Sequence, residues 1–159
     1  MNILVTGGNG YKGSVLVPLL LSDGHQVISF DTQWFGNYLP SHENLRNIQG
    51  DIRDVDSIPL HGVDAIIHLA NIANDPAVEL NPTLSWEVNV LASQQLADRA
   101  VREGVKHLLY ASSGSVYGLK EELRVTEDLP LVPISVYNKT KMVAERVFLS
   151  YSNQMQVHC

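Results

Sequence analysis

The chain has 159 residues, of which 45% are hydrophobic and 18% charged, and this composition is typical of one globular domain with a sizeable core. Its net charge of −6 argues against nucleic acid or an anionic membrane as a partner. The longest apolar run, residues 15–21, contains Pro18 and is too short to span a bilayer.

The first predicted element is an apolar strand that starts close to the N-terminus, which leaves no room for a signal peptide. It ends at a glycine turn, and a helical pattern follows over residues 11–22. Strand, glycine turn and helix are the context of a dinucleotide fingerprint, although the spacing here is G-x-x-G-x-x-G. Gly7 would permit the tight turn, and Gly10 would let the backbone approach a pyrophosphate. Gly13 would allow close packing of the helix on the strand. A glycine-rich turn without a ligand is the alternative.

The remaining pattern alternates between strands and helices. Strands are predicted at residues 26–31, 47–49, 64–70, 106–112 and 156–159, a short helix at 55–59, and long helices at 82–103 and 133–153. Residues 32–47 and 71–81 are predicted loops. This order predicts an α/β fold, a Rossmann-type doubly wound parallel sheet with helices on both faces.

Three side chains suggest proton-transfer chemistry. Tyr137 and Lys141 are four residues apart, so on a helix they share one face, and the ammonium would lower the pKa of the phenol. Ser113, with Ser112 as the next candidate, follows a predicted strand and supplies a hydroxyl. The Y-x-x-x-K spacing is weak alone and gains its weight from the glycine turn.

An acidic residue follows the second strand. Asp31 lies eighteen residues after Gly13, a distance suited to holding both hydroxyls of an adenosine ribose. Its charge would repel a 2′-phosphate, which predicts NAD rather than NADP. A solvated loop carboxylate is the alternative.

Together these segments resemble the extended short-chain dehydrogenases/reductases, specifically the NAD-dependent nucleotide-sugar epimerase/dehydratase group. The matching segments occur in the family's order along nearly the whole chain: residues 6–13, 50–54, 68–71, 89, 112–118 and 137–141.

The resemblance implies a cofactor site for NAD. Its positions are Gly7, Asn9, Gly10, Tyr11, Lys12, Gly13, Asp31, Asp51, Ile52, Leu69, Ala70, Asn71, Asn89, Tyr137 and Lys141. Asp51 would accept from the adenine amino group and Ile52 would cover the ring, although Asp51 could instead cap the following short helix. Leu69, Ala70 and Asn71 would run under the cofactor, and the family usually has Ala at the last position. Asn89 would support the active site, or simply be satisfied by a neighbouring backbone.

The resemblance also implies the chemistry. Tyr137 would be the general acid/base, Ser113 would bind the reacting oxygen, and Lys141 would hold the nicotinamide ribose. Family dehydratases place an acidic pair directly after the active-site hydroxyl, whereas this chain has Gly114 and Ser115. A nucleotide-sugar 4-epimerase is therefore expected, with dehydration, decarboxylation, reduction or a catalytically silent NAD-binding module as alternatives.

Family members carry a C-terminal sugar-binding domain, so residues 1–159 are expected to be an incomplete NAD-binding domain. Family relatives often dimerise by packing the two long helices, so the resemblance implies a homodimer. Both helices carry enough apolar residues for a second face: Leu84, Val88, Leu91, Leu96, Met142, Val143, Val147 and Phe148. The single cysteine, Cys159, excludes an internal disulfide and favours the cytoplasm. The histidines lack ligand spacing, so no metal is expected, and His68 is expected to pack rather than to act as a base.

Overall fold

The computed structural model describes all residues 1–159 and contains one sheet of six strands. The strands are β1 Asn2–Thr6, β2 Gln26–Asp31, β3 Leu45–Gln49, β4 Ala65–His68, β5 His107–Tyr110 and β6 Gln156–His158. The α-helices are α1 Gly13–Ser22, α2 Asp75–Leu80, α3 Pro82–Trp86, α4 Ala92–Arg102 and α5 Val136–Leu149. Single turns of 3₁₀ helix occupy Val55–Ser57 and Gly114–Tyr117, and a π-helical turn, Glu87–Leu91, joins α3 to α4.

The strand order is β3-β2-β1-β4-β5-β6, and every neighbouring pair is parallel. This confirms the predicted Rossmann-type sheet. The chain reverses its direction of travel across the sheet between β1 and β4, and open sheets of this type bind ligands at the carboxyl ends of the strands beside such a switch point.

The two faces of the sheet bury different side chains because residues alternate along each strand. Leu4 of β1 belongs to the larger apolar cluster, with residues of α4 and α5. Its neighbours Ile3 and Val5 belong to a smaller cluster with Val17 of α1. Helices therefore cover both faces, as predicted.

The strands β4 and β5 are shorter than predicted, because they end together with β1. Thr6 pairs with His68, and His68 pairs with Tyr110, so these three residues form the last row of the central sheet. Beyond this row the glycine turn takes β1 out of the sheet and β4 loses that partner. At the other side, β3 begins at Leu45, inside the predicted loop, because Leu45 still pairs with Val27.

The prediction of a loop over residues 71–81 was wrong. The segment contains α2, whose N-cap Asn74 accepts a hydrogen bond from the Ala77 N–H at 3.0 Å. Asn81 caps α3 in the same way, accepting from Leu84 N–H at 3.0 Å. In both cases a proline stands in the first helical turn, which is a start signal that the sequence does contain.

The other helix bounds also needed correction. The predicted helix at 82–103 is divided by the π-helical turn, and the helix at 133–153 is confined to α5, where Ser135 is the N-cap. α1 begins at Gly13 rather than at residue 11. The 3₁₀ turn at Val55–Ser57 has Asp54 at its N-cap, so Asp51 does not cap it.

None of the helices combines the length and the apolar composition that a bilayer span requires. No three His, Cys, Asp or Glu side chains come together in a group that could hold a metal ion.

Candidate functional site

The glycine turn is shaped by main-chain crowding. Gly7 has a φ of +72°, and a Cβ there would lie 2.7 Å from the backbone nitrogen of Ala70, at the end of β4. A Cβ on Gly13 would lie 2.5 Å from the carbonyl oxygens of Gly7 and Gly8. Real Cβ atoms do not approach so closely, so the turn, the β4 end and the start of α1 can meet only because these positions are glycine.

Beyond this crowded backbone the turn presents free hydrogen-bond donors. Gly10 donates its N–H to the Gly7 carbonyl at 3.1 Å, whereas the N–H groups of Tyr11, Lys12 and Gly13 have no acceptor within the chain. Free N–H groups at the start of a helix form a ready anion site, and the Lys12 side chain is exposed beside them. These three donors belong to residues predicted for the cofactor site, and the α-carbon of Gly10 faces open space apart from Gly7, as the predicted close approach of a pyrophosphate would require.

Asp31 lies at the end of β2 and is fixed by two main-chain donors. Its carboxylate accepts from Asn9 N–H at 3.1 Å and from Gln33 N–H at 2.6 Å. An ionised carboxylate has about four acceptor sites, so two of them remain for hydroxyl groups of a ligand. The carboxylate is thus oriented next to the glycine turn rather than free in a loop.

The predicted site residue Asn9 is buried beneath the turn. Its side-chain amide donates to Ser29 Oγ at 3.3 Å and to Asn47 Oδ1 at 3.0 Å, which ties the turn to β2 and β3. Its Oδ1 is buried without a partner. The side chain of Asn9 therefore holds the turn in place. Tyr11, in contrast, is 93% exposed.

Asp51 and Ile52 follow β3. Ile52 is buried in the larger apolar cluster, and Asp51 is half-buried. The guanidinium of Arg53 binds both carboxylate oxygens of Asp51, at 2.7–3.2 Å, and reaches Glu87 of the π-helical turn at 3.2 Å. This hydrogen bonding lowers the pKa of Asp51, so the carboxylate is charged at neutral pH.

At the end of β4, Leu69, Ala70 and Asn71 are half-buried. Ala70 N–H donates to Thr6 Oγ1 at 3.3 Å, and the side-chain amide of Asn71 donates to the Ile72 carbonyl at 3.0 Å. The backbone of Leu69 and Ala70 lies against Gly7, beside the predicted pyrophosphate position, whereas the contact recorded for Asn71 is with Ile72.

A chain of buried hydrogen bonds runs behind this end of the sheet. Thr6 Oγ1 lies 2.7 Å from His68 Nδ1, His68 Nε2 lies 3.1 Å from Ser93 Oγ, and Ser93 donates to the Asn89 carbonyl at 2.8 Å. Ser93 has one proton, so we assign the remaining proton of the pair to His68 Nε2, while Nδ1 accepts from Thr6.

Burial, followed by the charge of Lys141, lowers the pKa of His68 to about 3, which keeps the ring neutral. The imidazole packs against Tyr110 and Phe148, with ring centroids 5.8 and 5.4 Å away. The predicted packing role of His68 is confirmed.

Asn89 joins the end of β4 to the first turn of α5. Its side chain accepts from Ile72 N–H at 2.8 Å and donates to the Ile72 carbonyl and to Thr140 Oγ1, both at 3.1 Å. Thr140 in turn donates to the carbonyl of Tyr137 at 2.8 Å. Backbone satisfaction of Asn89 is thus observed, and the same side chain also supports the turn that carries Tyr137.

Lys141 lies one helical turn after Tyr137 and is 3% exposed. Its ammonium donates to the Ala111 carbonyl at 2.5 Å and lies 4.2 Å from the centroid of the Tyr110 ring. Burial, and then repulsion by Lys12, lower the pKa of Lys141 from 10.5 to about 7. The ammonium thus lies at the end of β5, two residues before Ser113, within electrostatic reach of the glycine turn.

The structure separates the roles of the two serines. Ser112 donates to Glu145 Oε2 of α5 at 2.6 Å, so its hydroxyl fixes the helix against the strand end. Ser113 Oγ lies 2.7 Å from Ser115 Oγ and accepts from Ser115 N–H at 3.3 Å. Because its contacts are confined to its own turn, Ser113 is the serine available to a ligand.

Sequence reasoning missed several residues that shape this site. Gly8 is one, since a Cβ there would lie 2.3 Å from Ser29 Oγ. Tyr110 and Glu145 are others, and each acts through a contact far away in the chain. Arg53 binds Asp51, two residues before it, and also the distant Glu87. Gly8 carried a local signal, because it belongs to the glycine-rich turn itself.

The chain is similar to known proteins along nearly its whole length. The family model described as "NAD dependent epimerase/dehydratase family" matches residues 3–159. A UDP-glucose 4-epimerase from Corynebacterium glutamicum is 32% identical over 154 residues, which cover 96% of this chain and 47% of that protein. A 3 beta-hydroxysteroid dehydrogenase/Delta 5→4-isomerase from Mycobacterium tuberculosis is 37% identical over 157 residues, which cover 93% of this chain and 42% of that protein.

Among solved structures, a dTDP-glucose 4,6-dehydratase from Streptomyces venezuelae with NAD bound superimposes with a TM-score of 0.91 at 31% identity. The match covers 99% of this chain and 54% of the dehydratase. The chain thus spans about half the length of the curated relatives that it matches.

Proposed function

Because this chain belongs to the NAD-dependent epimerase/dehydratase family, we propose that it forms the NAD-binding part of a nucleotide-sugar 4-epimerase. The observation that carries the proposal is the corner between β5 and α5. There Lys141 is held at the Ala111 carbonyl, two residues before Ser113, and lies one helical turn from Tyr137. The glycine turn with its free N–H groups lies at the neighbouring strand ends.

The residues at the glycine turn fit NAD. The free N–H groups of Tyr11, Lys12 and Gly13 would receive the pyrophosphate, and Asp31 would accept from the adenosine ribose hydroxyls. Asp31 would also repel a 2′-phosphate, so NAD is preferred over NADP. Asp51, kept charged by Arg53, would accept from the adenine amino group. The relative from Streptomyces venezuelae, which has NAD bound, supports this assignment.

NAD supplies a hydride acceptor in its oxidised form and a hydride donor in its reduced form. Tyr137 would take the proton of the sugar hydroxyl at the carbon that is oxidised. Ser113 donates a hydrogen bond to the oxygen that becomes the ketone. Lys141, one helical turn after Tyr137, would place a positive charge on the same face of α5. In an epimerase the same phenol would return a proton to that oxygen when the carbon is reduced again from its other face.

The residues after Ser113 favour epimerisation over dehydration. Elimination of water requires a positioned acid and base near the sugar, and this turn offers Gly114 and Ser115 without a carboxylate. The 3₁₀ turn brings the Ser115 hydroxyl to Ser113 instead. The match to a UDP-glucose 4-epimerase supports the same choice and suggests a UDP-sugar as the substrate.

A second candidate reaction is the oxidation of a hydroxyl group on a substrate that is not a sugar. The hydroxysteroid dehydrogenase relative is more identical to this chain than the epimerase is, at 37% against 32%. Oxidation of a secondary alcohol by NAD requires the same Ser113, Tyr137 and Lys141. A catalytically silent NAD-binding module is the third candidate, although it would have no need of a proton-transfer tyrosine.

Turnover of UDP-glucose and UDP-galactose distinguishes these candidates, measured on this chain and on the longest chain that its gene encodes. We expect interconversion without net reduction of NAD by the longest chain. Tyr137→Phe should lower kcat by about 10²–10⁴-fold and leave NAD affinity within a few-fold, because it removes proton transfer only. Tyr38→Phe, at a tyrosine that is 76% exposed, is the matched control and should keep full activity.

Net formation of NADH with a 3β-hydroxysteroid, and no reaction of the UDP-sugars, would replace the epimerase proposal by the second candidate. NAD binding without any turnover by the longest chain would support the silent module. The substrate domain after residue 159 and a cytoplasmic location stay predictions.

We also propose a homodimer that packs the helical layer of one copy on that of another. Part of the apolar set predicted for a second face is used inside the monomer, since Leu96 and Phe148 are fully buried. Leu91 in the π-helical turn remains 52% exposed, and Trp86 is 39% exposed. Light scattering should report twice the monomer mass, and Leu91→Glu should return the protein to a monomer. A monomer at all concentrations would contradict the proposal.

A further inference from the structure

We propose that the aromatic ring of Tyr110 is a positioning element for Lys141, whose ammonium it holds in the charged form against the Ala111 carbonyl. The inference deepens the proposed function, because a charged Lys141 is what that reaction needs beside Tyr137. Tyr110 itself is assigned no contact with substrate or cofactor.

The geometry singles out the ring face of Tyr110. The Lys141 ammonium lies 4.2 Å from the ring centroid, within the 6 Å range of a cation–π contact. Lys141 is 3% exposed and forms no ion pair with any carboxylate. The Ala111 carbonyl and the ring are therefore its two identified protein contacts, in a site where water can supply little.

The Tyr110 ring is fixed by its neighbours and cannot shift when the Lys141 side chain moves. Tyr110 is 5% exposed and packs on Phe148 and His68, with ring centroids 4.9 and 5.8 Å away. A neutral His68 lies on one side, and its pairing with Thr6 and Ser93 fixes its position. A rigid ring gives the ammonium one place in which its charge is stabilised.

The hydroxyl group of Tyr110 plays no part in this contact. Its oxygen is buried without a hydrogen-bond partner, and burial raises the pKa of the phenol far above its ordinary value. The ring therefore stays neutral over the whole accessible pH range. Because the hydroxyl has no hydrogen-bond partner, no hydrogen bond from it holds the ring in place, and Tyr110→Phe can test the ring alone.

Five other titratable groups face the same corner and contribute to its electrostatic potential. They are Lys12 at the glycine turn, His68 on β4, Tyr137 and Glu145 on α5, and Cys159 after β6. Glu145 is engaged by Ser112, and Lys12 opposes the charge of Lys141. A change of the ring at residue 110 leaves all five in place, so its effect on Lys141 can be measured separately.

The test is a titration of Lys141 by NMR in the cofactor-free chain with ¹³C-labelled lysine, in which Lys141→Arg assigns the signal. Tyr110→Phe keeps the ring and should leave the pKa of Lys141 unchanged within about 0.3 units. Fluorination of that phenylalanine weakens the negative ring face at nearly constant shape. The trifluorinated ring should lower the pKa of Lys141 by about one unit, and Tyr110→Leu should lower it at least as far.

A pKa of Lys141 that is the same for Phe, fluorinated Phe and Leu at residue 110 would overturn the proposal. If Tyr110→Leu fails to fold, the fluorinated series decides the question alone. The titration uses neither NAD nor a sugar, so its result does not depend on whether the proposed epimerase activity is found.

Discussion

The two ends of the candidate site are built by different means. The glycine turn is fixed by main-chain sterics, since side chains at Gly7 and Gly13 would collide with backbone atoms. The corner of β5 and α5 is fixed by side chains, through the Lys141 contact with Ala111 and the Asn89 link to Thr140. The first end is therefore a rigid main-chain surface. The second end buries the Lys141 ammonium where water scarcely reaches it, so protein groups must stabilise its charge.

The largest effect should come from crowding the rigid end. Gly7 and Gly62 have nearly the same φ, +72° and +74°, but a Cβ at Gly7 would meet Ala70 while one at Gly62 would meet nothing within 4 Å. We expect Gly7→Ala to lower the free energy of unfolding by about 3–5 kcal/mol and Gly62→Ala by about 1 kcal/mol. Urea denaturation of both variants measures the difference, and equal losses would show that the turn has room to relax.

The next effect concerns the buried charge and depends on pH. The pKa of Lys141 is about 7 in the folded chain and 10.5 as an ordinary lysine, so between these values the unfolded chain binds the extra proton. Above pH 10.5 the burial of Lys141 therefore costs no folding free energy for its charge, and this cost grows as the pH decreases towards 7.

Lys141→Met removes this penalty. We expect the variant to gain about 2–3 kcal/mol at pH 6, which is less than the roughly 5 kcal/mol of the full shift because the Ala111 contact is lost. The gain should shrink as the pH rises and become a loss near pH 10.5, where only the missing Ala111 contact remains. Lys139→Met, at an exposed lysine of the same helix, should change stability by less than about 0.5 kcal/mol at either pH. A pH-independent difference for Lys141→Met would contradict the buried charge.

The sequence predicted the rigid end better than the chemical end, and the reason is physical. Strand β2 was predicted with its observed bounds. The glycine-rich run predicts a turn because only glycine fits its crowded positions. The π-helical turn at Asn89 and the stacking of Lys141 on Tyr110 were not predicted. Both depend on packing between segments far apart in the chain, and no local pattern encodes such contacts. The start of α2 could have been predicted, since Asn74 followed by a proline is a local signal.

The smallest effect should come from the ion pair between Arg53 and Asp51. Their side chains are 43% and 34% exposed, so solvent screens the attraction. We expect Arg53→Met to cost less than about 1 kcal/mol of stability, while the pKa of Asp51 rises towards its ordinary value. Thermal denaturation and an NMR titration of Asp51 measure the two effects. A loss above about 2 kcal/mol would mean that this region is held by charge rather than by the burial of Ile52.

A crystal structure of this chain with NAD⁺ tests most directly the claim that the two ends form one site. We expect pyrophosphate oxygens to accept hydrogen bonds from the N–H groups of Tyr11, Lys12 and Gly13. The nicotinamide ribose should then lie within hydrogen-bond distance of Lys141 and Tyr137. NAD⁺ bound at the glycine turn with its nicotinamide ribose away from Lys141 and Tyr137 would contradict the account.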